Sequence, residues 1–94
     1  MRSQAHAATA SGGRYMTQLA KHWSHKFEVE HDERQARIVL PAGTLRMNTV
    51  DDGLVLVVET EDDTIIERLE TVVADHLKRF AFREPDLALE WTRS

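Results

Sequence analysis

The stretch TLRMNTVDDGLVLVVE, residues 44–59, decides the fold class of this sequence. Leu45 and Met47 alternate with polar residues, as in a strand that buries one face. The sequence DDG at 51–53 then supplies residues that suit a tight turn, and LVLVVE at 54–59 returns as an apolar run. The stretch therefore predicts a β-hairpin in an antiparallel sheet.

Two further strands precede this hairpin. The sequence FEVE at 27–30 alternates apolar and acidic residues, and ARIVL at 36–40 alternates again after the polar turn HDER at 31–34. Pro41 and Gly43 end the second of these strands. Since the four strands follow one another through short turns, they predict a meander.

Two helices flank the meander. The first, at about 13–25, follows the breaker SGG, and the second, at about 62–81, begins with Thr64 and Glu67 in a capping-box pattern. Each helix has an apolar stripe at helical spacing. The first stripe contains Tyr15, Met16, Leu19, Ala20 and Trp23, and the second contains Ile65, Ile66, Leu69, Val72, Val73, Leu77 and Phe80.

The two ends of the chain add shorter strand candidates. The sequence SQAHAAT at 3–9 is a weak candidate. After Pro85, the apolar residues Leu87, Leu89 and Trp91 alternate and predict a final strand.

The predicted order of elements is β-α-β-β-β-β-α-β. Because both helical stripes and the alternating strands need a common core, we expect an α+β two-layer sandwich. In this fold both helices lie on one face of an antiparallel sheet. The length suits a single domain over 1–94, with 1–12 a candidate for a flexible start.

The composition excludes several classes of protein. The chain has no cysteine, so disulfides, thiolate nucleophiles and Cys-ligated metals are excluded. A formal net charge of −4 argues against a general nucleic-acid binder. The N-terminal stretch lacks the apolar segment of a signal peptide, and no run reaches membrane-spanning length. We therefore expect a cytoplasmic protein with no nucleic-acid or membrane partner.

The segment AKHWSHK, residues 20–26, holds the strongest candidate for a functional site. His22 and His25 lie three residues apart near the end of the first helix, and His76 falls on the apolar stripe of the second. If the helices are neighbours on the sheet, His22 and His76 converge and His25 lies at the mouth. These three side chains are our candidate ligands for a divalent metal, the only cofactor the residues suggest.

Other interpretations of the histidines stay open. A metal site needs three or four donors, and a pair spaced H-x-x-H supplies only two. The metalloprotease signature H-E-x-x-H is absent. His76 could instead be a core histidine that donates to a backbone carbonyl. If the histidines form a metal site, a pocket is expected beside Trp23 and Phe80.

The strand at 54–59 is apolar on both faces. If Leu54, Leu56 and Val58 point into the core, Val55 and Val57 point away from it. An apolar outer face predicts a homodimer through the sheet. The alternative is a small patch covered by neighbouring side chains.

Three stretches resemble a known family. They are RYMTQLAKHWSHKFEVE at 14–30, DDGLVLVVET at 51–60 and VVADHLKRFAFREPDLALEWTR at 72–93. Together they are similar to the bacterial family called domain of unknown function 2218. The family pattern often has Cys and Phe where this chain has Ala20 and Trp23.

The resemblance implies which residues belong to the site. The chain matches the family at His22, His25, Lys26, His76, Arg79, Phe80 and Phe82, which adds Lys26, Arg79 and Phe82 to the expected pocket. It also implies a link to iron or siderophore uptake, and it brings no catalytic residue.

Three functions therefore remain. The first is a small binding protein linked to iron or siderophore handling, with a metal or small molecule as its ligand. The second is a homodimeric interaction module with structural histidines. The third is an enzyme that uses a histidine as an acid or base.

Overall fold

A computed structural model describes residues 1–94 as six strands and two helices. The strands are β1 (Arg2–Ala8), β2 (Glu28–His31), β3 (Gln35–Leu40), β4 (Gly43–Val50), β5 (Gly53–Glu59) and β6 (Thr92–Arg93). The helices are α1 (Gly12–Trp23) and α2 (Ile66–Phe80), and a short 3-10 turn, Asp63–Ile65, precedes α2. The predicted α+β class and the order of elements are confirmed.

The six strands form one antiparallel sheet in the order β2-β3-β4-β5-β1-β6. The predicted meander occupies β2 to β5, with Met47 opposite Leu56 in the central hairpin. The weak strand candidate at the N-terminus is a full strand of seven residues. It pairs with β5 along its whole length, so that Ala5 also lies opposite Leu56.

Both helices pack on the face of the sheet that carries the alternating apolar residues. In β1, β3 and β4 the buried side chains alternate with half-buried or exposed ones, which is the pattern of strands with one covered face. In β5 Leu54, Leu56 and Val58 lie on this face, and Val57 on the other face is buried too. Side chains of the covered face and of the two helical stripes make a single cluster of 19 buried residues. The common core that the pattern required is therefore present.

Helix α1 approaches the sheet closely at its first residue. Gly12 is buried, and a Cβ placed there would lie 3.0 Å from the carbonyl oxygen of Gly53. A residue without a side chain lets the helix start directly over the turn between β4 and β5. From there Tyr15, Met16 and Leu19 enter the core.

Helix α2 begins differently from the prediction. The predicted capping box of Thr64 and Glu67 does not form, and Asp62 caps the 3-10 turn instead. Its carboxylate accepts hydrogen bonds from the backbone N–H of Thr64 at 3.0 Å and from the Thr64 hydroxyl at 2.6 Å. The Thr64 hydroxyl therefore bonds to the preceding Asp62 and does not cap α2, which starts only at Ile66.

The predicted final strand is present, but it lies at Thr92–Arg93 and not at 87–91. Only Thr92 and Arg93 pair with β1, opposite Gln4 and Ser3. Residues 87–91 have no regular secondary structure, and the Leu87 N–H is donated to the carbonyl of Glu84. The alternation in this segment reflects three half-buried side chains that pack on the core without strand pairing, namely Leu87, Leu89 and Trp91.

No helix in the structure has the length and apolar character needed to cross a membrane.

Candidate ligand-binding site

The two helices bring together histidines that are 54 positions apart in the sequence. His22 lies in the last turn of α1, and His76 lies on the adjoining side of α2. Their ring centroids are 5.6 Å apart, with the planes tilted by 45°. This convergence follows from the packing of α1 against α2, since both histidines flank stripes that face the same core.

One nitrogen of His76 is already engaged. The Nδ1 atom lies 2.7 Å from the carbonyl oxygen of Val72, one turn earlier in α2. A carbonyl oxygen only accepts, so Nδ1 carries the hydrogen. In the neutral ring, Nε2 is then left with a free lone pair and can accept a hydrogen bond or bind a metal.

Aromatic rings surround the two histidines. Trp23 is 5% exposed, and its ring centroid lies 5.0 Å from that of His76. Phe80 meets His22 edge to face at 5.9 Å. These contacts fix both imidazoles beside apolar surface, because aromatic rings at such distances pack favourably in tilted and edge-to-face geometries.

A pocket of about 640 Å³ opens beside this cluster. Three segments line it: the end of α1 with the turn that follows, one face of α2, and the turn between β3 and β4. The lining residues are His22, Trp23, His25, Lys26, Phe27, Leu40, Pro41, Ala42, Ile65, Arg68, Leu69, Val72 and His76.

The predicted site residues divide into two groups. His22, Trp23, His25, Lys26 and His76 line the pocket. The other three predicted residues, Arg79, Phe80 and Phe82, do not. Phe80 contacts the ring of His22 without lining the pocket. Arg79 is exposed. Phe82 is 73% exposed, and the guanidinium of Arg83 lies over its ring.

Two walls of the pocket are not predicted by the sequence pattern. One is the turn Leu40–Pro41–Ala42, whose proline and glycine neighbour indicate only the end of a strand. The other is Arg68 on α2, which lies between the stripe residues Ile65 and Leu69. The helical spacing of Arg68 to the stripe and to Val72 was the one available signal, because residues three and four apart share a face.

The histidines do not form a preassembled metal centre. No group of three or more His, Cys, Asp or Glu side chains in the structure is arranged to hold a metal ion. The metal-binding role of His22, His25 and His76 stays a prediction. A metal bound by the two converging imidazoles would need donors in addition to them.

The outer face of the sheet is more polar than the valine pair suggested. Val57 is 9% exposed, and the arginines on the neighbouring strands pair with glutamates. Arg37 lies 3.1 Å from Glu30, and Arg46 lies 3.1 Å from Glu59. The homodimer through this face stays a prediction, and the apolar surface available to it comes from the half-buried Val39 and Val55 and the exposed Val50.

A buried carboxylate anchors the end of the chain. Glu70 of α2 is 6% exposed and accepts hydrogen bonds from the Ser3 hydroxyl at 2.5 Å and from Arg93 at 2.8 and 3.0 Å. The Arg93 guanidinium, helped by Ser3, lowers the pKa of Glu70 below its ordinary value. This network ties β1, α2 and β6 together.

A second network ties the start of α1 to the loop after α2. The Tyr15 hydroxyl donates to the carboxylate of Glu84, and the Thr9 hydroxyl donates to the same oxygen at 2.7 Å. The hydrogen bond to Glu84, together with burial, raises the pKa of Tyr15. No buried side-chain nitrogen or oxygen lacks a hydrogen-bond partner.

Comparison with known proteins gives one family and one similar structure. The family model described as "Uncharacterized protein conserved in bacteria (DUF2218)" matches residues 4–92. The NMR structure of PA4090 from Pseudomonas aeruginosa is similar with a TM-score of 0.79 and 34% sequence identity, covering 97% of this chain and 94% of that chain. No curated protein matches the sequence.

Proposed function

The chain belongs to the bacterial family DUF2218, and from that premise we propose that it binds a small molecule in the pocket between α1, α2 and the β3–β4 turn. The pocket volume of about 640 Å³ falls within the range of ligand sites in proteins. Its lining combines apolar and aromatic surface with a few polar groups. This is the usual chemistry of a site that takes up an organic ligand.

The observation that carries the proposal is the pairing of His22 with His76 beside Trp23. Two imidazoles from different helices meet next to a buried indole ring. The hydrogen bond from His76 to Val72 fixes one nitrogen and leaves the other for a ligand. Imidazoles held in this way offer both hydrogen bonding and ring stacking to a ligand.

The link to iron or siderophore handling is part of this proposal. Two imidazoles fill at most two positions around a metal ion, and no third protein ligand is grouped with them. Iron would therefore enter as a chelate whose own donor atoms fill the remaining positions. On this view, a chelate binds more tightly than a bare ion.

Calorimetry tests the proposal with three titrants: zinc ion, ferric ion, and a ferric catechol chelate. The wild-type chain is compared with His22→Ala and His76→Ala. His31→Ala is the matched control, because His31 is exposed on β2 and does not line the pocket.

We expect the chelate to bind the wild type and the control equally, and each pocket variant to lose about tenfold or more in affinity. Equal affinity in all four proteins would contradict a role for the histidines. If the bare ions bind as tightly as the chelate, the proposal that iron enters as a chelate is contradicted. That result would instead support the metal site predicted from the sequence.

A further inference from the structure

The ionisable residues that line the pocket are all basic. They are His22, His25, Lys26, Arg68 and His76, and no aspartate or glutamate is among the lining residues. The chain as a whole has 16 acidic residues against 12 lysines and arginines. A lining without any carboxylate therefore runs against the composition of the protein and produces a locally positive site.

The two permanent cations of the pocket have no carboxylate partner. Neither Lys26 nor Arg68 takes part in any of the ion pairs of the structure. In contrast, Arg37, Arg46 and Arg93 each lie within 3.1 Å of a glutamate oxygen. Both cations of the pocket are therefore free to pair with an added anion.

The helix dipoles explain Lys26 and leave Arg68 unexplained. Lys26 follows the C-terminal end of α1, where a cation is favourable. Arg68 is the third residue of α2, where the positive end of the helix favours an anion. Its neighbours three and four positions away are Thr64, Ile65, Thr71 and Val72, so no helical ion pair compensates.

The rest of the lining is suited to an apolar body. Trp23, Leu40, Leu69 and Val72 contribute aromatic and aliphatic surface to the same cavity. From the basic and apolar residues of the lining we infer that the ligand is an organic anion, an inference that rests on the proposed function. Its carboxylate or similar acidic group pairs with Arg68 and Lys26, and its aromatic or aliphatic part lies against Trp23 and Val72.

Matched acids and alcohols test this inference. The probes are 2-naphthoate with 2-naphthylmethanol and decanoate with decanol, titrated into the ¹⁵N-labelled chain while the Trp23 indole N–H signal is followed by NMR. The variants are Arg68→Gln and Lys26→Gln, which keep a polar side chain without charge. Their controls are Arg79→Gln on the same helix and Lys21→Gln on α1, both exposed and outside the pocket.

We expect at least one acid to bind about tenfold more tightly than its alcohol. Arg68→Gln should remove most of that preference, Lys26→Gln part of it, and the controls none. Added salt should weaken the acids and leave the alcohols unchanged.

The inference that the ligand is an anion would be overturned if acids and alcohols bind the pocket equally, or if Arg68→Gln keeps the preference for acids. The proposed binding function would be unaffected by either result. If neither acids nor alcohols shift the Trp23 signal, the binding function fails and the anion fails with it.

Discussion

His22 and His76 come from different helices, and their ring centroids lie 5.6 Å apart, with the Trp23 indole ring beside His76. The relationship depends on the two helices sharing one face of the sheet, because helices on opposite faces would separate the imidazoles by the thickness of the sheet. The candidate site is therefore a product of the fold.

The central strand β5 should carry much of the stability. Leu56 is fully buried and lies opposite both Ala5 and Met47. Leu56→Ala should lower the free energy of unfolding by about 2–5 kcal/mol, since it leaves a cavity between the sheet and the helices. Chemical denaturation measures the change, with Val50→Ala, 42% exposed in the wild type, as the control. A loss no greater than that of the control would contradict the assigned core.

The turn between β4 and β5 should tolerate no side chain at Gly53. A Cβ there would collide with the carbonyl oxygen of Ala7, and the residue has φ +159°. Gly53→Ala should therefore lower the melting temperature. Gly13→Ala is the matched control, because a Cβ at Gly13 meets only the Thr49 methyl at 3.8 Å, and alanine favours the helix. Equal melting temperatures for the two variants would be inconsistent with this packing.

Acid should destabilise the chain in part through Glu70. Because Arg93 and Ser3 lower the pKa of Glu70 in the folded state, its contribution is complete above the ordinary value of 4.5 and is lost as the pH falls through the folded value. Glu70→Gln cannot gain that proton. The difference in unfolding free energy between wild type and Glu70→Gln should shrink as the pH falls below 4.5. A constant difference would count against the network, and the exposed Glu33→Gln serves as the control.

Tyr15 is the only tyrosine, so phenolate absorbance reports on it alone. The hydrogen bond to Glu84 and burial raise its pKa, so the absorbance midpoint of the folded chain should lie above 10. The stability that the neutral phenol contributes is present below pH 10 and is lost as the pH rises through the raised value. Glu84→Gln should lower the midpoint toward 10. A wild-type midpoint at or below 10, with circular dichroism showing the fold intact, would refute the contact.

The homodimer predicted from Val55 and Val57 can be tested by light scattering. A dimer through the outer face predicts about twice the chain mass of 10.8 kDa and dissociation in Val55→Lys. A monomer at high concentration, with Val55→Lys folding normally, would remove this role. Arg34→Lys, an exposed charge-conserving change in the β2–β3 turn, provides the control.

Most of the fold follows from hydrophobic period. The meander and both helices are strongly patterned, and one shared core is the simplest way to bury them. The N-terminal strand has a weaker signal because its buried residues are small: Ser3, Ala5 and Ala7. Its position depends on the backbone pairing with β5, which no local pattern shows.

The segment at 87–91 shows the opposite error. Its alternation is genuine, but these residues pack against the core outside any strand, and pairing with β1 begins only at Thr92. Alternation indicates which side chains are buried and does not by itself establish a strand.

The site was predictable where it depends on helical spacing and unpredictable where it depends on tertiary contacts. His22 and His76 converge because both stripes face one core. The wall formed by Leu40, Pro41 and Ala42 depends on where the β3–β4 turn lies beside α2, which the sequence does not encode locally. The importance of Arg68 becomes visible only when that wall is present.

The central claim is that a ligand binds between α1, α2 and the β3–β4 turn. A fragment screen on the ¹⁵N-labelled chain tests it most directly, because NMR shifts locate each binding event. The account predicts that fragments which bind will shift the Trp23 indole signal and the backbone signals of Arg68 and His76. It also predicts that His76→Ala binds these fragments more weakly than the wild type does. Fragments that shift only the outer face around Val55 and Arg46, or that bind His76→Ala as well as wild type, would contradict it.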